Sequence, residues 1–109
     1  MKFDYTQEPM KEYPNFKGGE KSLLAAISFD GLNRVLRGRL VPGASIGLHT
    51  HDDSSEVIYV IAGEPSIITD GQAERYAPGQ AHYCPKGHAH TMVNDTAADV
   101  EFFAVVPIQ

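Results

Sequence analysis

GASIGLHTHDDSSEVIYVIAG, residues 43–63, decides how the chain is read, because it sets two histidines and a glutamate between apolar runs and closes both ends with glycine. His49 and His51 are two apart, so on a strand their side chains leave the same face while Thr50 points away. The polar stretch Asp52 to Ser55 carries the chain over, and Glu56 opens a second run, Glu56 to Ile61, that ends at Ala62-Gly63. Downstream, GQAHYCPKGHAHTMVN, residues 79–94, repeats the composition: a glycine start, a Pro-x-Gly turn, a histidine at position 90 and an asparagine at 94.

The rest of the chain from Asn33 onward has the same short-strand character. Arg34 to Val41 ends at Pro42-Gly43, and Ser45 to His51 at the Asp-Asp-Ser-Ser turn. Ser66 to Thr69 and Gln72 to Tyr76 flank Asp70-Gly71, a pair that suits a type I′ hairpin because both central residues need positive φ. Gln80 to Cys84, His90 to Asn94 and Val100 to Val106 bring the expectation to about eight strands, an all-β sandwich or barrel. Residues 1–32 differ. They hold Pro9, Pro14, Gly18-Gly19 and the aromatics Phe3, Tyr5, Tyr13 and Phe16 without a clean period. That is too aromatic for a disordered tail, so an N-terminal arm is expected to pack on its own barrel (residues 33–109) or on a partner subunit.

The two blocks resemble the two signature motifs of the cupin superfamily. Gly43, five residues, His49-x-His51, four residues, Glu56, six residues and Gly63 match the first. Gly79, five residues, Pro85-x-Gly87, two residues, His90, three residues and Asn94 match the second. One residue type makes up only several per cent of an average chain, so joint agreement at fixed spacing is not a chance event. The resemblance implies a single jelly-roll β-barrel of the small cupin 2 conserved-barrel type. It also implies that His49, His51, Glu56 and His90 ligate one divalent transition metal. Three imidazoles and a carboxylate suit Fe, Mn, Ni, Zn or Cu and disfavour calcium or magnesium, which prefer oxygen.

Composition narrows the partners. A net charge of −5 argues against nucleic acid, which needs clustered Lys and Arg. No apolar run reaches the roughly 18 residues of a membrane span, and MKFDYTQEPM has neither the charged start nor the apolar core of a signal peptide. A cytoplasmic protein is the expectation, and a lone cysteine, Cys84, agrees with a reducing compartment. Cys84 reads as a small buried hydrophobe, and His88 as a solvated loop residue. Arg37 and Arg39 share one face and are expected to meet water, with a substrate anchor as the alternative. Val100 to Val106 is apolar on both faces, as expected of a strand covered by the arm or by a partner, and a homodimer is expected.

Cupins include dioxygenases, decarboxylases, isomerases and plain binding proteins, so the fold does not select the reaction. The leading expectation is a metalloenzyme acting on a small metal-chelating carboxylate, keto acid or sugar derivative. His82, Tyr59 and Tyr83 are its candidate proton-moving residues. The alternative is a non-catalytic module that binds or senses a small ligand through its metal. The motif strands hold no obvious further carboxylate, with Glu64, Glu74 and Glu101 the residues that could approach, which weighs against a decarboxylase of the oxalate kind.

Overall fold

In the computed structural model, which describes residues 1–109, ten antiparallel strands form two sheets. They are β1 (Lys11–Pro14), β2 (Ser22–Phe29), β3 (Asn33–Leu40), β4 (Ser45–Thr50), β5 (Glu56–Ala62), β6 (Ser66–Thr69), β7 (Gln72–Arg75), β8 (Ala81–Cys84), β9 (Ala89–Val93) and β10 (Val100–Pro107). The larger sheet runs β1-β2-β3-β10-β5-β8 and the smaller β4-β9-β6-β7, the two packed layers of a jelly-roll barrel. No helix is long and apolar enough to cross a membrane.

Strand alternation builds the core. In β10, Val100, Phe102, Ala104 and Val106 are buried, and in β5 Glu56, Ile58 and Val60 are, so one face of each strand points between the sheets. Phe102 lies opposite Gly38 of β3, where an added Cβ would stand 2.4 Å from its ring. The glycine makes room for the largest fully buried side chain in the protein. The expected hairpin is present, with φ of 48° at Asp70 and 83° at Gly71, the positive pair of a type I′ turn.

Asn94, the last residue of the second block, is fully buried and joins three segments. Its amide donates to the carbonyls of Leu40 and Ala98, and its side-chain oxygen accepts from Thr96. A buried amide of this kind needs its partners, which explains why the position is a poor place for any other side chain.

The structure differs most from the expectation over residues 1–32. Two strands lie there, and β2 hydrogen-bonds along β3 with Leu23, Ala25 and Ala26 in the core. The β2 sequence SLLAAISF shows no polar–apolar alternation: Leu23, Ala25 and Ala26 are buried, Leu24, Ile27 and Ser28 are half-buried, and Tyr5 Oη reaches Ser28 Oγ. Residues 33 onward join it through a turn in which the Asp30 carboxylate accepts from the amides of Leu32 and Asn33. The first residues then cross the outer face of their own barrel. Phe3 stacks on Tyr5, Tyr5 meets Phe103, and the Tyr5 hydroxyl donates to the Val35 carbonyl. That contact accounts for the apolar outer face of β10.

Arg37 and Arg39 also lie on this outer face, but both are paired with the Glu101 carboxylate, at 3.1 and 2.6 Å, and are only partly exposed. They meet an acid where water was expected, because the strand register sets Glu101 directly opposite Arg39. Phe102→Ala is expected to lower the free energy of unfolding by about 3–5 kcal/mol, by loss of transfer energy and creation of a cavity. Urea denaturation measures it, and a loss below about 1 kcal/mol would show that the core does not depend on this ring.

Candidate metal centre

The four residues expected as ligands come from both sheets and converge at one end of the barrel. His49 of β4 and His90 of β9 are direct partners across the strand pair, although the register shifts between Ile46 and His49. His51 lies just past the end of β4, not within a strand as expected, and is held by the second block. Its amide donates to the His88 carbonyl, and its carbonyl accepts from the Gly87 amide in the Pro85–His88 turn. Glu56 is the first residue of β5 and points inward with Ile58 and Val60.

Donor atoms of His49, His51, Glu56 and His90 all lie within 4.8 Å of one another. Three of them form a tight triangle. His51 Nε2 is 3.0 Å from His90 Nε2 and 3.1 Å from Glu56 Oε1, and His90 Nε2 is 2.9 Å from the same oxygen. Ligand atoms about 2.1 Å from a metal stand about 3.0 Å apart when at right angles and about 3.4 Å apart in a tetrahedron. The spacing therefore fits one face of an octahedron.

The outer ring nitrogens agree with that fit. His49 Nδ1 donates to the Gly47 carbonyl at 2.7 Å, which leaves Nε2 with its lone pair. His51 Nδ1 is 2.8 Å from Ser54 Oγ, and His90 Nδ1 is 2.9 Å from His82 Nε2. Every imidazole has a partner behind it and can present Nε2 to a common centre, the usual support of a metal-bound histidine.

Burial pushes the Glu56 carboxyl up, but hydrogen bonds from the His51 and His90 imidazoles outweigh it and hold the group down at about 2. Those bonds use the same Nε2 atoms, so a metal ion would take the place of their protons as the partner of the carboxylate. Glu56 is an anion at any ordinary pH. Burial lowers the His49 imidazole and keeps it neutral, while the Gly47 carbonyl partly opposes the shift. Burial, reinforced by His90, brings His82 down to about 4. Burial also lifts the Cys84 thiol to about 11, which leaves it protonated.

The other candidates divide sharply. His82 is buried on β8 and touches His90 from behind, with Tyr76 Oη 2.9 Å from its Nδ1. Tyr59 and Tyr83 are exposed on the outer face of β5 and β8 and are not brought to the cluster. Strand parity is the reason: Glu56 points inward, so Tyr59, three residues on, points outward, and Tyr83 alternates with His82 and Cys84. His88 pairs on the surface with the Asp70 carboxylate. Glu101 is occupied by Arg37 and Arg39.

A cavity of about 220 Å³ opens beside the cluster, with His49, Glu56 and His90 on one wall and Ile46, Ile58 and Phe102 among its apolar lining. Its two cationic residues were not singled out in the sequence. Arg34 shares the inward parity of Leu36 and Leu40, and its guanidinium lies 4.6 Å from the Phe29 ring centroid. Lys17 belongs to a short 3₁₀ turn, Phe16–Gly18, pressed onto β4. An added Cβ at Gly47 would stand 2.0 Å from the Lys17 carbonyl oxygen, so only glycine lets the turn sit there. Parity could have found Arg34, but nothing local could have placed Lys17.

Fold and cluster together define a jelly-roll barrel with a three-histidine, one-carboxylate site that can hold a metal ion. The chain belongs to the cupin family, whose domain model matches residues 36–106. It is 33% identical over 98 residues to an oxalate-binding protein of Thermotoga maritima, an alignment that covers 84% of this chain and 81% of that one. Among solved structures, a predicted oxalate decarboxylase from Thermotoga maritima superposes with a TM-score of 0.93 at 25% identity over 100% of both chains. The cupin domain of Cnp3 from Schizosaccharomyces pombe superposes with a TM-score of 0.83 at 10% identity, over 100% of this chain and 74% of that one, and shares the fold alone.

Metal occupancy is expected to fall as pH drops below about 6, because free imidazole titrates near 6.5 and must be neutral to ligate. Glu56 stays ionised through that range, so the histidines set the limit. Elemental analysis after dialysis at stepped pH tests this, with full retention at pH about 5 as the contrary result.

Proposed function

We propose that this chain is a divalent-metal-binding cupin that holds a small carboxylate chelator, of the dicarboxylate or keto-acid class, at the metal. The observation that carries the reading is the pairing of the donor triangle with a small apolar cavity whose cationic lining residues are Arg34 and Lys17. A four-residue ligand set leaves two of six octahedral positions for a bidentate ligand. Two cations beside it favour an anion, and guanidinium matches a carboxylate in geometry as well as charge. The oxalate-binding relative is consistent with that class.

Binding is preferred to turnover because the side chains expected to move protons lie elsewhere. Tyr59 and Tyr83 face outward, and both His82 nitrogens already have partners. The metal, when bound, would supply Lewis acidity and charge. His49, His51, Glu56 and His90 would hold it, and Arg34 would orient the free end of the ligand.

The test compares wild type, His51→Ala and Arg34→Gln by elemental analysis and by calorimetric titration with oxalate. Loss of metal and of oxalate binding together is expected for His51→Ala. Arg34→Gln is expected to keep its metal and weaken oxalate by about 10- to 100-fold, the value of a charge-assisted hydrogen bond. Retained metal in His51→Ala would refute the ligand assignment, and release of carbon dioxide from oxalate would move the protein to the decarboxylating class.

We further propose a homodimer in which a second copy covers the outer face of β5 and β8. Val57, Tyr59, Ile61 and Tyr83 are all exposed there, and β8 is the edge of its sheet. Adjacent apolar side chains on an edge are a liability for a monomer. Sedimentation velocity is expected to show a dimer for wild type and a monomer for Tyr83→Asp. A monomeric wild type would reject this part.

A further inference from the structure

Behind the cluster, away from the cavity, Tyr76, His82 and His90 form a continuous chain of side-chain hydrogen bonds. Tyr76 Oη stands 2.9 Å from His82 Nδ1, and His82 Nε2 stands 2.9 Å from His90 Nδ1. His82 is almost fully buried, on the same inward face of β8 as Cys84, whereas Tyr76 follows β7 and reaches partial exposure. Neither residue lines the cavity.

A neutral imidazole carries one ring proton, so the contact between two imidazoles has only two readings. Either His82 Nε2–H donates to His90 Nδ1, which puts the His90 proton on Nε2 and blocks it as a ligand, or His90 Nδ1–H donates to His82 Nε2. The second alone frees His90 Nε2, the atom in the donor triangle. It also forces the His82 proton onto Nδ1, where Tyr76 Oη accepts it. His49 and His51 have simpler supports, a backbone carbonyl and a hydroxyl. For His90 the support is a second histidine, which accepts at Nε2 when its own proton is on Nδ1, where Tyr76 Oη meets it.

We infer that His82 and Tyr76 are positioning residues that support the liganding tautomer of His90, so that the metal affinity of the site depends on a hydrogen-bond chain running from the centre to the protein surface. This rests on the metal-binding reading above. In the liganding state the order is His90 Nδ1–H to His82 Nε2, then His82 Nδ1–H to Tyr76 Oη. The chain stays neutral throughout. Its far end, Tyr76, is partly exposed, whereas His82 is buried.

Cobalt(II) is the probe, because a cobalt-bound imidazole shifts its remaining ring N–H proton far outside the normal spectrum. In the wild-type protein in H2O we expect one cobalt per chain and three shifted resonances that vanish in D2O, from His49, His51 and His90. His82→Phe is expected to lose one of the three and weaken cobalt by about 10- to 100-fold in a chelator competition. His82→Gln, whose amide oxygen can accept from His90, is expected to keep the third resonance and recover most of the affinity. Tyr76→Phe is expected to shift that same resonance and leave the other two in place. These last two variants carry the test if His82→Phe fails to fold by circular dichroism.

Three unchanged resonances with affinity within about twofold in every variant would overturn the inference while leaving the metal centre intact. No cobalt in wild type would remove the centre and the chain together. Two cobalt ions per chain with a thiolate charge-transfer band would also overturn it, because the donors of His82, Cys84 and His90 lie within 4.8 Å of one another and His82 would then be a ligand and not a support.

Discussion

A carboxylate with almost no access to water must be met by donors or by a cation, and Glu56 is that group here. It projects from the larger sheet, whereas His49 and His90 project from the smaller, so satisfying it requires the two layers to meet in one register at one end of the barrel. A slip of one residue in β5 would carry Glu56 to the outer face and put Val57 in its place. The apolar rows of β5 and β10 resist such a slip, because the same parity that aims Glu56 inward also buries Ile58, Val60, Phe102 and Ala104. Core packing and site geometry are thus one constraint applied to the same strands.

Much of this was legible because the informative residues have short-range reasons for their positions. The spacing of His49, His51 and Glu56 encodes a strand end, a turn and a strand start, and Asp70-Gly71 encodes its hairpin in two residues. The facing of Tyr59 and Tyr83 was not settled by alternation alone, because no fixed point was available on their strands. Once Glu56 is inward, alternation sends Tyr59 outward, and His82 and Cys84 inward send Tyr83 outward. The same rule applied from Leu36 would have turned Arg34 toward the cavity and Arg37 and Arg39 away from it. β2 was hidden for a different reason. Its apolar run has no polar–apolar period to detect, and Tyr5, which reaches Ser28 on it, is remote in sequence.

The residues that resisted reading include the cationic lining of the cavity. Both blocks together supply the candidate metal donors, turns and the Asn94 junction, but the cationic residues of the cavity come from outside them. Arg34 lies on β3, and Lys17 lies in a turn whose seat depends on the missing side chain of Gly47. Gly47 sits inside the first block at a position the motif leaves free, so the arm is admitted by a residue that the metal pattern does not demand. The candidate metal donors and the cationic lining are therefore carried by different parts of the chain. A barrel of this kind can keep its donors and exchange its rim, which is the physical reason that a shared fold and ligand set say so little about substrate. In this chain the cavity beside the histidines is small and mostly apolar, with Arg34, Lys17 and Glu56 as its charged lining and Asp52 and Asp53 next to it.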